Sequence, residues 1–272
     1  MDDEALLRAY QEQVRRRPAP DGPDGSVERS AAVVRVLATS GGWTGVTWSD
    51  LDADTADAVV AAQVARFTQQ GCPWEWKHHD GDQPDDLADR LARAGLAAGQ
   101  PETVLAAMID EVVDDVVDDV RCATPPAGVD VVEAVDEATV RALVQVHEQV
   151  FGGDHHAVGD ALLRALADQP PRLRGVVAFA TSGGRRVPVA AARLELVPGS
   201  TFAGLWGGGT APGWRGRGIF RALVAHRARL AAAAGCQYLH VDATPASRSV
   251  LRGLGFRELG TTTPFTHPGT EG

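Results

Sequence analysis

The run Thr210-Ala211-Pro212-Gly213-Trp214-Arg215-Gly216-Arg217-Gly218-Ile219-Phe220-Arg221 constrains the fold of this chain more than any other stretch. An apolar run precedes it and a long helical pattern follows it, so it reads as a strand, a turn and a helix start. Gly216 and Gly218 leave the backbone free to turn sharply and to approach a ligand closely. The helix that follows directs its unpaired N–H groups and its positive dipole end at that turn. Such a turn is suited to hold a phosphate. A second strand and helix come next, at Tyr238–Ala243 and at 246–254, and a last strand runs through Phe265.

Upstream, the elements alternate in the same way. Leu6, Leu7, Tyr10 and Val14 recur at helical spacing and predict a helix over 3–16. Ala31–Ala38 and Trp43–Trp48 read as strands, with Gly41-Gly42 between them. A helix is expected from Asp54 to Gln70, stopped by Gly71, then a strand at 73–79, a helix at 82–94 closed by Gly95, and a strand at 102–109. The repeat Glu111-Val112-Val113-Asp114-Asp115-Val116-Val117-Asp118-Asp119-Val120 fits a helix with one valine stripe and one aspartate stripe, or an extension of the preceding strand. Thr124-Pro125-Pro126-Ala127-Gly128 is the clearest linker. Beyond it come a strand at 129–135, helices at 137–151 and 156–168, and an antiparallel meander at 174–181, 187–196 and 201–208, turning at Gly183-Gly184 and Pro198-Gly199. The fold class is therefore α/β with a mixed sheet, in two domains, 1–124 and 125–272.

Charge divides at the same linker. Residues 1–127 carry 24 acidic and 11 basic side chains, a net −13, and the remainder carries 12 and 15, a net +3. The basic part suits a polyanionic ligand, whereas the acidic part argues against nucleic acid as a partner. The three cysteines, Cys72, Cys122 and Cys236, are far apart, which points to a reducing compartment rather than a disulfide framework. No apolar run approaches the roughly 20 residues of a membrane helix, and Met1-Asp2-Asp3-Glu4 lacks the features of a signal peptide. The expected location is the cytoplasm. Neither His78-His79-Asp80 nor His155-His156 has the spacing of a metal site, so no metal is expected.

The run Arg215-Gly216-Arg217-Gly218-Ile219-Phe220 resembles the pyrophosphate-binding signature of the GNAT superfamily of acyl-CoA-dependent N-acetyltransferases, Arg/Gln-x-x-Gly-x-Gly/Ala. Tyr238–Ala243 is similar to that family's next strand. Ser247-Arg248-Ser249-Val250-Leu251-Arg252-Gly253-Leu254-Gly255-Phe256 is similar to its last helix and terminal Gly-Phe. The resemblance spans about 128–266 and implies a GNAT fold with acetyl-CoA as co-substrate and an amine as acceptor. Because 43–109 repeats the order of the second half of that fold, two GNAT-like units in tandem are expected, the alternative for the N-terminal domain being an unrelated α/β extension with the same element order. The N-terminal one would be degenerate: its strand-to-helix junction, Trp48-Ser49-Asp50-Leu51-Asp52-Ala53-Asp54, has three aspartates and no glycine, and would repel a pyrophosphate.

The resemblance assigns the pyrophosphate to main-chain N–H groups across Gly216, Arg217, Gly218, Ile219, Phe220 and Arg221, with Arg215 opening the signature. Arg217 and Arg221 add charge-assisted contacts or are solvated surface arginines. Phe220, in place of a small residue, crowds the turn. The acyl-pantetheine arm falls on Gly208, Gly209 and Thr210, where Trp206-Gly207-Gly208-Gly209 has the poor strand propensity of a bulge or of an irregular strand end. Thr244 stands where the family often has an asparagine and joins the cofactor group. Leu251 occupies the position of the tyrosine held to reprotonate the thiolate, and Ser247 is the hydroxyl assigned near it. Glu195 is the candidate base, or else the partner of Arg193 in a surface ion pair. His155 and His156 read as capping or surface histidines and His240 as a packed one. A non-catalytic acyl-CoA sensor is the alternative to the enzyme.

Overall fold

The structure, a computed structural model, describes residues 2–22, 24–38, 42–113, 124–168 and 171–267. In chain order the first elements are α1 (Asp3–Tyr10), β1 (Ser26–Arg29), β2 (Val33–Leu37), β3 (Gly45–Ser49), α2 (Ala56–Gln70), β4 (Trp74–His79), α3 (Leu87–Arg93) and β5 (Ala97–Ala98). Next come β6 (Glu102–Met108), α4 (Ile109–Val113), β7 (Val129–Ala134), α5 (Glu137–Phe151), α6 (His156–Ala165), β8 (Leu173–Ser182), β9 (Arg185–Leu196) and β10 (Phe202–Thr210). The chain closes with α7 (Ile219–Ala233), β11 (Tyr238–Ala243), α8 (Pro245–Arg252) and β12 (Arg257–His267).

Two compact units emerge. One holds the described residues of Met1–Val104, Asp242–Ala246 and Glu258–Gly272, the other those of Leu105–Val241 and Ser247–Arg257. The linker at 124–128 falls inside the second of these units. The last strand, β12, belongs to the first unit, where it runs antiparallel to β4 from Thr262↔His79 to His267↔Trp74. Residues 105–113 group with the second. The paired-valine repeat beyond Val113, and Cys122, lie outside the described residues.

In the first unit β1–β2 and β2–β3 are antiparallel, and β3–β4 is parallel over Gly45↔Glu75 and Val46↔Trp76 only. Its core gathers Val46, Val60, Phe67, Trp76, Leu87, Leu91 and Phe265. Gly71 at φ 66° ends α2 as expected, because a left-handed residue closes the last turn without a Cβ penalty. The first helix departs from the expectation: α-helical winding stops at Tyr10 and Gln11–Arg15 is a π-helical turn. Helix α3 begins at Leu87 rather than at 82, and β1, which carries no buried residue, has no sequence signal of its own.

The second unit contains the antiparallel order β7-β8-β9-β10 and the parallel pair β10–β11. Helix α5 starts in a capping box: Asp136 Oδ1 accepts the Thr139 N–H at 2.8 Å, and the Thr139 hydroxyl reaches back to the Asp136 N–H at 3.2 Å. It buries Val140, Leu143, Val144 and His147, a stripe at i, i+3, i+4 and i+7, on one face of the sheet. On that face Val177, Phe179 and Ala191 meet α5 and α6. Val176, Ala178, Ala192, Ile219 and Leu223 form the α7 side. Among the described residues no helix is long and apolar enough to cross a membrane.

Candidate active site

The glycine run of β10, the turn before α7 and the residues around them lie within the second unit. Strands β10 and β11 share register only over Phe202↔Tyr238, Ala203↔Leu239 and Gly204↔His240, while β10 continues to Thr210. Against β9 the register of β10 slips between Trp206 and Gly209, so Trp206-Gly207-Gly208-Gly209 is a bulge in the structure. Gly207 sits at φ 56°, a left-handed value that glycine adopts freely.

Three successive glycines then face alternate sides. A Cβ on Gly207 would meet His147 at 3.0 Å and Arg193 Nε at 3.2 Å, and one on Gly209 would meet Val150 at 2.8 Å and Phe151 at 3.1 Å, all toward α5. A Cβ on Gly208 would meet Phe220 at 3.0 Å and an Arg227 terminal nitrogen at 3.6 Å, both toward α7. Phe220 therefore crowds the bulge rather than the turn that precedes its helix. Thr210, 8% exposed, ends β10 with its Oγ1 buried and without a hydrogen-bond partner.

The turn itself is open. Gly216 (φ 73°) and Gly218 (φ 81°) both have space where a Cβ would stand, so their backbone conformation, not crowding, requires glycine. Gly218 is the residue before α7, and the first helical bond runs from Ala222 N to Gly218 O at 3.1 Å. The N–H groups of Ile219, Phe220 and Arg221 thus have no acceptor inside the helix. Of the signature side chains, Arg215 Nε donates to Thr210 O at 3.0 Å, and Arg217 donates to Gly213 O at 3.0 Å while lying over Trp214. Both hold the turn's shape. Ile219 is 1% exposed, its side chain in the core, so only its N–H faces the turn. Arg221 is half-buried.

On the α5 face a polar row meets the parting of β10 and β11. Glu195, half-buried and opposite Gly204, accepts the Trp206 indole N–H at 2.9 Å. Trp206 stands edge-on to His240, 7% exposed, with centroids 5.6 Å apart. His240 is thus packed, as expected. His147, 1% exposed, has no partner at Nε2, and burial, then Arg193 and His155, press its pKa down to about 4. Phe151 and His155 stand against its ring, and His155 Nε2 lies 2.9 Å from Gly152 O. Sequence reasoning passed over Trp206 as a side chain, and over His147 and Arg227. The signal for the latter two was a polar residue on a buried helical stripe: His147 after Val140, Leu143 and Val144, and Arg227 after Leu223 and Val224.

The remaining assigned residues lie on α8 or just before it. Ser247 is half-buried on α8, and Leu251, four residues on, is 1% exposed as part of the core. Thr244 is exposed and falls in the segment that groups with the first unit. Among the described residues one group has ligand atoms close enough for an ion, Glu148, Asp154 and His156, on the surface of the α5–α6 connection.

In the first unit the short parallel pair β3–β4 also parts early. There Arg15, 3% exposed, donates Nε to Thr47 O at 3.1 Å and binds Asp82 through two bonds of 2.8 Å. Thr47 and Asp82 both lie past the last paired positions, so an ion pair of the chain's own occupies the ground between those strands.

Residues 140–256 match the profile of the Acetyltransferase (GNAT) family. No curated protein matches the chain. Among solved structures, a GCN5-related N-acetyltransferase from Kribbella flavida is 16% identical, with 98% of this chain and 95% of that one covered and a TM-score of 0.66. A tandem GNAT protein from the clavulanic acid biosynthesis pathway is 12% identical over 99% and 95%, at 0.62. A GCN5-related N-acetyltransferase from Sphaerobacter thermophilus is 13% identical over 98% and 86%, at 0.57. At these identities the likeness is one of fold: the chain has the GNAT fold, and a tandem GNAT protein is among the structures it resembles.

Proposed function

We propose that this chain, which carries a GNAT domain over residues 140–256, is an N-acetyltransferase that moves the acetyl group of acetyl-CoA to a primary amine of a small molecule or protein. Members of the family are acyltransferases; the donor, the acceptor and the order of events are our reading. The observation that carries it is the continuous backbone track from the bulge at Gly207-Gly208 through Thr210 to the open turn at Gly216–Gly218. We take 125–272 as the catalytic domain and the N-terminal unit as silent toward the cofactor, since Arg15 and Asp82 fill its strand parting.

The residues fit such a ligand. The N–H groups across Gly216 to Arg221 bind the pyrophosphate, with the α7 dipole favouring its charge. The main chain of Gly208, Gly209 and Thr210 holds the acyl-pantetheine arm, and the buried Thr210 Oγ1 takes a partner there. When bound, acetyl-CoA supplies an activated acyl carbon. Glu195, oriented by Trp206, accepts the acceptor's proton directly or through water. A main-chain N–H of the bulge donates to the carbonyl oxygen as negative charge builds on it. Attack occurs in a ternary complex without an acyl-enzyme.

The test is a thiol-release assay with acetyl-CoA against a panel of primary amines, comparing wild type with Glu195→Gln. Amine-dependent CoA release that falls in the variant while acetyl-CoA affinity holds is the expected result. Release from no amine, with acetyl-CoA still bound, favours an acyl-CoA sensor. The buried Leu251, where the family places its tyrosine, is the observation on the sensor's side.

A further inference from the structure

Helix α7 carries a charge that its packing does not explain. Its buried stripe is Leu223, Val224, Ala228 and Ala231, and into it the chain sets Arg227, 2% exposed. Nε donates to Leu223 O at 3.2 Å and one terminal nitrogen to Arg193 O at 3.0 Å. The other terminal nitrogen stands 3.6 Å from where a Cβ would sit on Gly208, at the bulge. Both hydrogen bonds go to neutral carbonyls. Burial is the one cause that moves its pKa, down to about 9, and among the described residues no carboxylate offsets it.

Helix α4 with Asp110 and Glu111, and strand β7 with Glu133 bound to Arg174, pack on α7, yet among the described residues no carboxylate acts on Arg227 itself. On α7 itself His226 feels Arg227 as one more positive charge, and Arg229 is exposed. Strand β9 presents the Arg193 carbonyl, β10 presents the Gly208 backbone, and the Phe220 ring lies beside it. A buried guanidinium without a counter-ion is costly. A chain that keeps one has a ready site for negative charge that arrives with a ligand.

We propose that Arg227 stabilises the CoA thiolate as it leaves. This rests on the acetyltransferase reading and deepens it, for the bulge that Arg227 faces is where that reading puts the thioester. The two sides of the bulge then divide the labour. From the α5 side the acceptor nitrogen forms a bond to the acyl carbon and gives its proton to Glu195 or to water. As the C–S bond breaks, its electron pair stays on sulfur, and Arg227 on the α7 side holds that charge until solvent protonates it. This accounts for a chain with Leu251 at the position of the usual proton donor: a stabilised thiolate does not need a proton in the step itself.

The test needs no acceptor. CoA and acetyl-CoA are titrated calorimetrically in two buffers of different ionisation enthalpy, at a pH about one unit below the free thiol's pKa, which gives the protons released on binding. Wild type is expected to release a proton fraction with CoA and none with acetyl-CoA, whose sulfur is capped. Arg227→Met is expected to bind acetyl-CoA with wild-type affinity, to release no proton with CoA, and to melt no lower than wild type, since it removes an unpaired buried charge. Arg227→Gln, which keeps a donor for the carbonyls, must lose the proton release too. Unchanged release in both variants, or a Tm that collapses in both, overturns the proposal and leaves Arg227 structural. Wild type that binds both ligands without releasing a proton overturns this inference alone. Failure to bind acetyl-CoA overturns the acetyltransferase reading and the inference with it.

Discussion

Replacing Gly218 separates two effects, the backbone strain that its φ imposes and the phosphate contact proposed for it. Its φ of 81° costs any L-residue about 1–2 kcal/mol. At roughly 2–4 °C per kcal/mol for a chain near this size, Gly218→Ala should lower Tm by about 2–8 °C. Nothing lies within 4 Å of a Cβ there, so alanine leaves the turn in place and acetyl-CoA affinity within a few-fold of wild type. Gly218→Glu carries the same strain, but its carboxylate at the start of α7 recovers about 0.3–1 kcal/mol from the dipole. Toward a bound pyrophosphate the same carboxylate is repulsive. At about 5 Å and an effective dielectric near 20 the repulsion is about 3 kcal/mol for one charge pair, close to two orders of magnitude in Kd. It should shrink as salt rises, because the Debye length is only about 8 Å at physiological ionic strength. Paired calorimetry and melting curves on the two variants decide the matter. Equal affinities for the alanine and glutamate variants would refute the placement of phosphate at this turn. So would weakening by glutamate that no added salt relieves.

Other outcomes follow from the same geometry. Trp206→Phe removes the donor to Glu195 and should reduce kcat several-fold with acetyl-CoA Kd unchanged; an unaltered kcat would detach Trp206 from the chemistry. His147 titrates near 6.5 in the unfolded chain and at about 4 in the fold. The unfolded state therefore binds the extra proton between those values, and stability should fall as pH drops from about 6.5 to about 4. His147→Gln should flatten that part of a Tm–pH profile. Asp82→Asn leaves Arg15 charged and buried without its bidentate partner, for a loss of about 3–5 kcal/mol in urea unfolding. A loss under about 1 kcal/mol would show the pair to be weakly coupled to the fold. Arg15→Met with Asp82→Leu should restore most of the stability.

What the sequence disclosed was local. Glycine punctuation placed the end of α2 at Gly71 and the β8–β9 turn at Gly183-Gly184, because a left-handed residue is required at each. The strand–turn–helix around Gly216 and Gly218 was legible for the same reason, and the run of glycines marked the bulge. Pairing was not legible. That β12 joins β4 rather than a strand of its own half is a long-range pairing that no short motif encodes. The winding change after Tyr10 was hidden because Val14 keeps helical spacing while Arg15 turns inward to Asp82. His147 and Arg227 interrupt apolar stripes, a signal visible in sequence, but their meaning comes from Gly207 and Gly208 on a strand far along the chain.

The central claim is that one acetyl-CoA binds per chain, at the second unit. Calorimetric titration of the wild-type protein with acetyl-CoA measures this directly. The account predicts a single site per chain, weakened by about two orders of magnitude in Gly218→Glu and kept in an Arg15→Met/Asp82→Leu double variant. Two sites would show the first unit to be live, and no site at all would contradict the acetyltransferase reading.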